Sequence, residues 1–228
     1  MLREVADWFA ALFLASAIAV TLLGVHEWCR ARAREALPAT ADAYTVAVDP
    51  GHGGFDGGAT GVVSGTPEAG LNLNVALQVA ETLERYGVTV VMTREDGAAL
   101  GADKRSDLAR RKELITGERI DLVVSVHMNK FTDPSVSGMM AYYQNGSHEG
   151  QKLAQTVADA VCDAIGRNRR LANPGDYFIL RECACPAVLV ECGFLSNAEE
   201  EQKLLDEAYQ TLLGEAIARG VLNYLGIQ

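Results

Sequence analysis

Two patterns of hydrophobic positions divide the chain. Residues 8–25 read WFAALFLASAIAVTLLGV, without a charge and with only Ser16 and Thr21 interrupting the apolar run. At a rise of about 1.5 Å per residue, some 18 apolar residues just cross a hydrocarbon core of roughly 30 Å. The run also lacks the polar stripe of a helix packed on a soluble core, so it predicts a transmembrane helix. From residue 44 onward, short β-branched or aromatic runs bounded by Gly, Pro, Asp or Asn predict strands over 44–48, 88–92, 121–126, 139–143, 177–180 and 187–190. Between them lie stretches with helical spacing. Residues 71–86 repeat Leu73, Leu77, Ala80, Leu83 and Tyr86, and 106–116, 149–165 and 198–224 behave similarly, the last broken into two helices. Strands alternating with helices of this length predict an α/β fold, a single largely parallel sheet flanked by helices on both faces.

The expected organisation is an N-terminal membrane anchor or uncleaved signal over 1–28, a linker over 29–43 marked by Arg, Ala, Glu and Pro38, and one globular domain over 44–228. The small-x-small site Ala41-Asp42-Ala43 lies past several charges and a Pro, far from where signal peptides are cut, so the anchor is expected to be retained. Up to Ala41 four Arg balance four acidic residues, and the net charge of −10 belongs to the residues after Ala41. Nucleic-acid binding needs a basic surface and is set aside. Five Cys is an odd number and argues against a disulfide framework. Cys183 and Cys185 have no second pair to complete a zinc ribbon and read as buried thiols. The Glu199–Glu201 run reads as a solvated helix start, where negative charge suits the helix dipole.

Ligands of open α/β sheets gather at the carboxyl ends of strands. Two of the four His occur at such ends, His52 in DPGHGG and His127 in SVHMN, and Glu191 directly continues an apolar run in VECGFLSN. A buried carboxylate of that kind is costly unless paired or metal-bound. Glu68 stands in a Gly- and Pro-bearing loop before a predicted helix, and residues 57–70 hold no other Asp, Glu, His or Cys. Two imidazoles and a carboxylate form a set that zinc hydrolases use, with a fourth position left for water. Imidazoles at strand ends also serve as packing groups, and residue types alone leave both readings open.

The string VDPGHGG, then DGGA, then a Glu opening a helix, then SVHMN and VECGFLSN, resembles the zinc-dependent N-acetylmuramoyl-L-alanine amidases of the type 3 catalytic domain. The four blocks occur in that family's order and span nearly all of the globular part. The resemblance implies a mixed six-stranded sheet flanked by helices, one Zn²⁺ bound by His52, Glu68 and His127, and Glu191 as the catalytic acid. It also implies peptidoglycan as substrate, cut at the amide between the lactyl group of N-acetylmuramic acid and L-alanine. Asp49, Asp56 and Asn129 are candidates to orient the ligands or to touch substrate, since metal-bound imidazoles donate their other N–H to such groups. The chain departs from the family pattern at Ala69-Gly70, where Lys-Asp commonly follows the Glu, and at Lys130, where a small residue is usual.

Arg30, Arg32 and Arg34 follow the apolar span and only Arg3 precedes it, a count that alone would keep the domain inside the cell. Peptidoglycan lies outside the cytoplasmic membrane, and the substrate decides for a membrane-anchored, extracytoplasmic enzyme. TRE at 93–95 and the Arg-rich SDLARR resemble the germination-specific, spore-cortex branch, which acts in muramic-lactam formation in the spore envelope. No wall-binding repeat is present, so targeting falls to the anchor, the groove or an activating protein partner. The competing readings are a non-catalytic wall-binding module, which the Glu191 carboxylate argues against, and a zinc peptidase of related fold.

Overall fold

Runs of Val, Leu and Ala build the centre of a six-stranded mixed sheet in the order β2-β1-β3-β6-β4-β5. The computed structural model describes residues 44–117 and 119–228. The strands are β1 (Thr45–Pro50), β2 (Thr89–Met92), β3 (Leu122–Asn129), β4 (Met140–Gln144), β5 (Asn173–Gly175) and β6 (Ala187–Phe194). The helices are α1 (Glu68–Arg85), α2 (Lys104–Ile115), α3 (His148–Ala164), α4 (Phe178–Glu182), α5 (Ala198–Leu204) and α6 (Glu207–Leu225). The first three neighbouring pairs are parallel, β4 runs antiparallel to β6, and β5 is parallel to β4. The apolar span over 8–25 and the linker over 29–43 lie outside the described residues. Among those described, no helix is long and apolar enough to cross a membrane.

Strand alternation sorts the side chains into two unequal layers. One face carries Val46, Val48, Leu122, Val124, Val126, Val188 and Val190, covered by α1, α3 and α6, which pack on one another. The other face carries Ala47, Val123 and Leu189, covered by Ile115 of α2 and by Ile179 and Leu180 of α4. Moving two residues along each strand on this second face leads from Ala47 to Asp49, from Val123 to Ser125 and His127, and from Leu189 to Glu191. Register sets Asp49 opposite Ser125 and His127 opposite Glu191. The apolar face therefore turns polar at the carboxyl ends of β1, β3 and β6. Cys192 falls on the opposite face from Glu191, as alternation requires. Cys162, Cys183, Cys185 and Cys192 are free thiols, Cys185 being partly exposed and the other three buried.

Three sequence expectations need correction. Residues 177–180 do not form a strand; they open the one-turn helix α4 with Ile179 and Leu180 buried, and the sixth strand is β5 instead. A four-residue apolar run suits a buried helical turn as well as a strand. Pro174 is tolerated in β5 because that strand is at the sheet edge. The buried stripe of α1 is Leu71, Val75, Val79 and Leu83, while Leu77 and Tyr86 face outward. The Glu199–Glu201 run is not wholly solvated, because Glu200 and Glu201 are buried acceptors. Asn197 caps α5 through the backbone N–H of Glu199 and Glu200. Glu200 accepts from the N–H of Gly138 and Phe194, and Glu201 accepts from the N–H of Val63 and Ser64 at 2.7 and 2.8 Å. Glu201 thereby pins the loop that delivers Glu68.

Leu83 is fully buried and Leu77 is 38% exposed, so the two leucines of α1 should respond differently to truncation. Leu83→Ala is expected to lose about 2–5 kcal/mol in urea unfolding, and Leu77→Ala less than about 1 kcal/mol.

Candidate active site

β1 ends at Pro50, and the next residues, Gly51 and His52, leave the sheet at its carboxyl edge. His52 has φ 62°, in the left-handed region that side chains other than glycine rarely adopt, at a cost of order 1–3 kcal/mol. His127 projects from within β3, one strand away. Gly51 permits this approach, since a Cβ there would lie 2.0 Å from His127 Cε1. Glu68 opens α1, and Gly58 lies so close that a Cβ would meet Glu68 Oε2 at 2.5 Å.

These three residues converge. One ligand atom from each of His52, Glu68 and His127 lies within 4.8 Å of the others. Glu68 Oε1 is 2.9 Å from His127 Nδ1 and 3.4 Å from His52 Nε2, and the two imidazoles meet edge to face at 5.0 Å. Oε1 also accepts from Asn72 Nδ2 at 3.0 Å and from the Met128 N–H at 3.1 Å, while Oε2 accepts from the Ala59 N–H at 2.8 Å. Burial alone would raise the pKa of Glu68, but its hydrogen bonds and proximity to the two imidazoles hold it well below the usual carboxylate range.

Glu191 completes the group from β6. It is buried, and its Oε2 has no hydrogen-bond partner among the described residues. Desolvation pushes its pKa up to about 7, with the neighbouring Glu68 adding to the rise and His127 opposing it. A cleft of about 360 Å³ opens over the four side chains, walled on its apolar side by Tyr177, Phe178, Ile179 and Leu189.

Of the remaining candidates, Asp56 sits 3.0 Å from His52 Nδ1 and so occupies the nitrogen opposite the one that faces Glu68. Asp49 instead bonds Arg111 Nη1, Thr93 Oγ1 and Ser125 Oγ, each at 2.7 Å. Asn129 lines the cleft and accepts from the Lys130 N–H, and its side chain bonds neither imidazole.

Sequence reading missed the groups beneath the site. Arg94 and Arg111 are both buried and direct their guanidinium groups at the backbone around His52. Arg111 joins Asp107 Oδ2 and Asp49 Oδ1 at 2.7 Å each, donates to Pro50 O at 2.7 Å, and reaches His52 O. Arg94 donates to the carbonyls of Pro50, Gly51, Ala69 and Asp96 at 2.8–3.0 Å. The available signal was position: Arg94 follows an apolar strand almost directly, where a solvated residue is out of place.

Burial would raise the pKa of Asp49, but Arg111, Ser125 and Thr93 outweigh it and lower the value. A depressed native pKa stabilises the fold above the unfolded carboxylate value of about 3.9, and that contribution is lost as pH falls through the native value. Asp49→Asn is therefore expected to lose stability at pH 7 and to show a smaller further loss between pH 5 and 2 than the parent, as read by denaturant midpoints across that range.

The sequence profile of the family described as N-acetylmuramoyl-L-alanine amidase (Amidase_3) matches residues 46–223. The germination-specific N-acetylmuramoyl-L-alanine amidase of Bacillus subtilis is 32% identical over 186 residues, covering 78% of each chain. Among solved structures, the CwlD amidase of Clostridioides difficile, determined in complex with the GerS lipoprotein, superposes with a TM-score of 0.77 at 32% identity, over 81% of this chain and all of that one. An N-acetylmuramoyl-L-alanine amidase from Clostridium difficile 630 gives 0.75 at 36% identity, over 82% of this chain and 98% of that one. With the matched profile running from β1 to α6 and the four converging side chains within it, the chain belongs to the N-acetylmuramoyl-L-alanine amidase family.

Proposed function

We propose that this amidase cuts the lactyl–L-alanine amide of peptidoglycan with one Zn²⁺ held by His52, Glu68 and His127, and with Glu191 carrying the proton. The observation that carries the reading is the convergence of two imidazoles and one carboxylate within 4.8 Å beside a buried carboxylate oxygen that lacks a partner. The donor set fits the group: two nitrogens and one oxygen are a catalytic zinc complement, and three protein ligands leave a position open to the cleft. Asp56 holds Nδ1 of His52, so that Nε2 is the atom free to ligate, and such a partner also raises the basicity of the imidazole. When bound, zinc supplies polarisation of the amide carbonyl and a water of lowered pKa.

The chain's own residues supply the rest. Glu191, buried and level with His127, is placed to accept a proton from a water over the cleft and return it to the departing alanine nitrogen. Among the described residues its Oε2 has no competing partner, and a pKa near neutrality suits a group that both takes and gives a proton. Tyr177 and Phe178 line the wall against which the peptide or glycan would lie. The Tyr177 ring is braced by Tyr142, with centroids 5.1 Å apart.

The extracytoplasmic site of action, the anchor over residues 8–25, the spore-cortex role and an activating protein partner belong to the same proposal. Their support is the apolar run itself, the name of the Bacillus subtilis relative and the GerS complex of the CwlD amidase.

Mass spectrometry of cortex and vegetative peptidoglycan treated with the zinc-loaded protein tests the reaction. Free stem peptides beginning at L-alanine are expected, and cortex is expected to release more of them. Glu191→Gln should lower the rate about 10²–10⁴-fold with zinc still bound, and a chelator should abolish release until zinc is restored. Cleavage at another bond, or full activity in Glu191→Gln, overturns the reading.

A further inference from the structure

Three consecutive carbonyls, those of Pro50, Gly51 and His52, are capped by side-chain donors. Pro50 O receives Arg94 Nε at 3.0 Å and Arg111 Nη1 at 2.7 Å. Gly51 O receives Arg94 Nη2 at 2.9 Å and Asn72 Nδ2 at 3.1 Å. His52 O receives Arg111 Nη2. This is the stretch that turns from the last residue of β1 into the left-handed conformation of His52.

The same side chains also tie that stretch to two helices, Arg94 and Asn72 to α1 beside Glu68 and Arg111 to α2. Arg94 Nη2 reaches Ala69 O at 2.8 Å, in the first turn of α1 and one residue past Glu68. Asn72, a turn further on, joins Gly51 O to Glu68 Oε1. Arg111 braces His52 against α2 through Asp107 Oδ2 at 2.7 Å.

Burying two guanidinium groups is costly, and among the described residues Arg94 makes no ion pair with a carboxylate. Stability alone is a weak reason for such groups, because well-packed apolar residues serve it as well or better. Their planar arrays of always-charged donors do suit the fixing of several carbonyls at set angles.

We propose that Arg94 and Arg111 are positioning residues for metal binding: together they lock the Pro50–His52 backbone in the turn that ends in the left-handed His52, and Arg94 also fixes the separation of that turn from Glu68. The proposal rests on the zinc reading of the site. It assigns function to the TRE and SDLARR segments, whose sequence resembles a family branch and which here hold the ligand loop.

The test is zinc affinity, measured by competition with a chromophoric chelator on the full-length protein, for the parent, Arg94→Met, Arg111→Met, Arg94→Lys, Arg111→Lys and Leu153→Ala. Leu153 is fully buried in the layer on the opposite face of the sheet and controls for lost stability. Each Met variant is expected to bind zinc about 10–100-fold more weakly, the range for losing a group that orients a ligand. Leu153→Ala should lower the unfolding midpoint and leave zinc affinity unchanged. The Lys variants keep the charge without the fork, and are expected to stay folded and to bind zinc at least several-fold more weakly than the parent; they decide the matter if a Met variant does not fold. Parental zinc affinity in the folded arginine variants, or an equal loss in Leu153→Ala, overturns the positioning role. Failure of the parent to bind zinc overturns the site reading itself.

Discussion

The carboxylate of Glu68 is the constraint around which the rest of the site is arranged. A buried anion is tolerated only where its oxygens are supplied with donors, and Glu68 takes them from four directions: its own helix, the preceding loop, the β3 backbone and the imidazole of His127. The partners lie on three segments, α1, the loop at Ala59 and β3, so the fold must bring all three to one point. At Gly51 and Gly58 a Cβ would collide with the side chains of His127 and Glu68 themselves.

The thin layer of the sheet makes this possible. On that face the central strands carry Ala47, Val123 and Leu189 and then pass to polar side chains at their carboxyl ends, where α2 and α4 give only partial cover. The site lies where β1 and β3 are adjacent while the chain between them has visited β2 on the far side of β1. That reversal of strand order opens a crevice in doubly wound sheets. Below the crevice Asp49 is satisfied internally by Arg111, Thr93 and Ser125. Above it, Glu191 lines the cleft, and its buried Oε2 has no hydrogen-bond partner among the described residues.

Much of this architecture was legible in the sequence. The apolar runs located five of the six strands, and polar residues interrupting or ending those runs pointed to His52, His127 and Glu191. Glu68 was a candidate as the one acid of its loop, and only the family resemblance implied that it is a ligand. The supporting role of the arginines was not legible, because the spacing of 106–116 shows only a helix, and the Asp49, Pro50 and His52 groups that Arg111 meets lie more than fifty residues away. Glu200 and Glu201 were misread for the same reason: an acidic run at a helix start looks solvated until the loops that it caps are in place. The 177–180 run failed differently, since four apolar residues carry too little periodicity to separate a strand from a helical turn.

Anomalous diffraction from crystals of the zinc-loaded protein, recorded on both sides of the zinc absorption edge, tests the account most directly. It predicts one zinc peak per chain, bound by His52, Glu68 and His127 at about 2.0–2.2 Å with a fourth position open toward Glu191. A zinc ion held by other residues, or a site in which Glu68 keeps its hydrogen bonds and does not ligate, would contradict it.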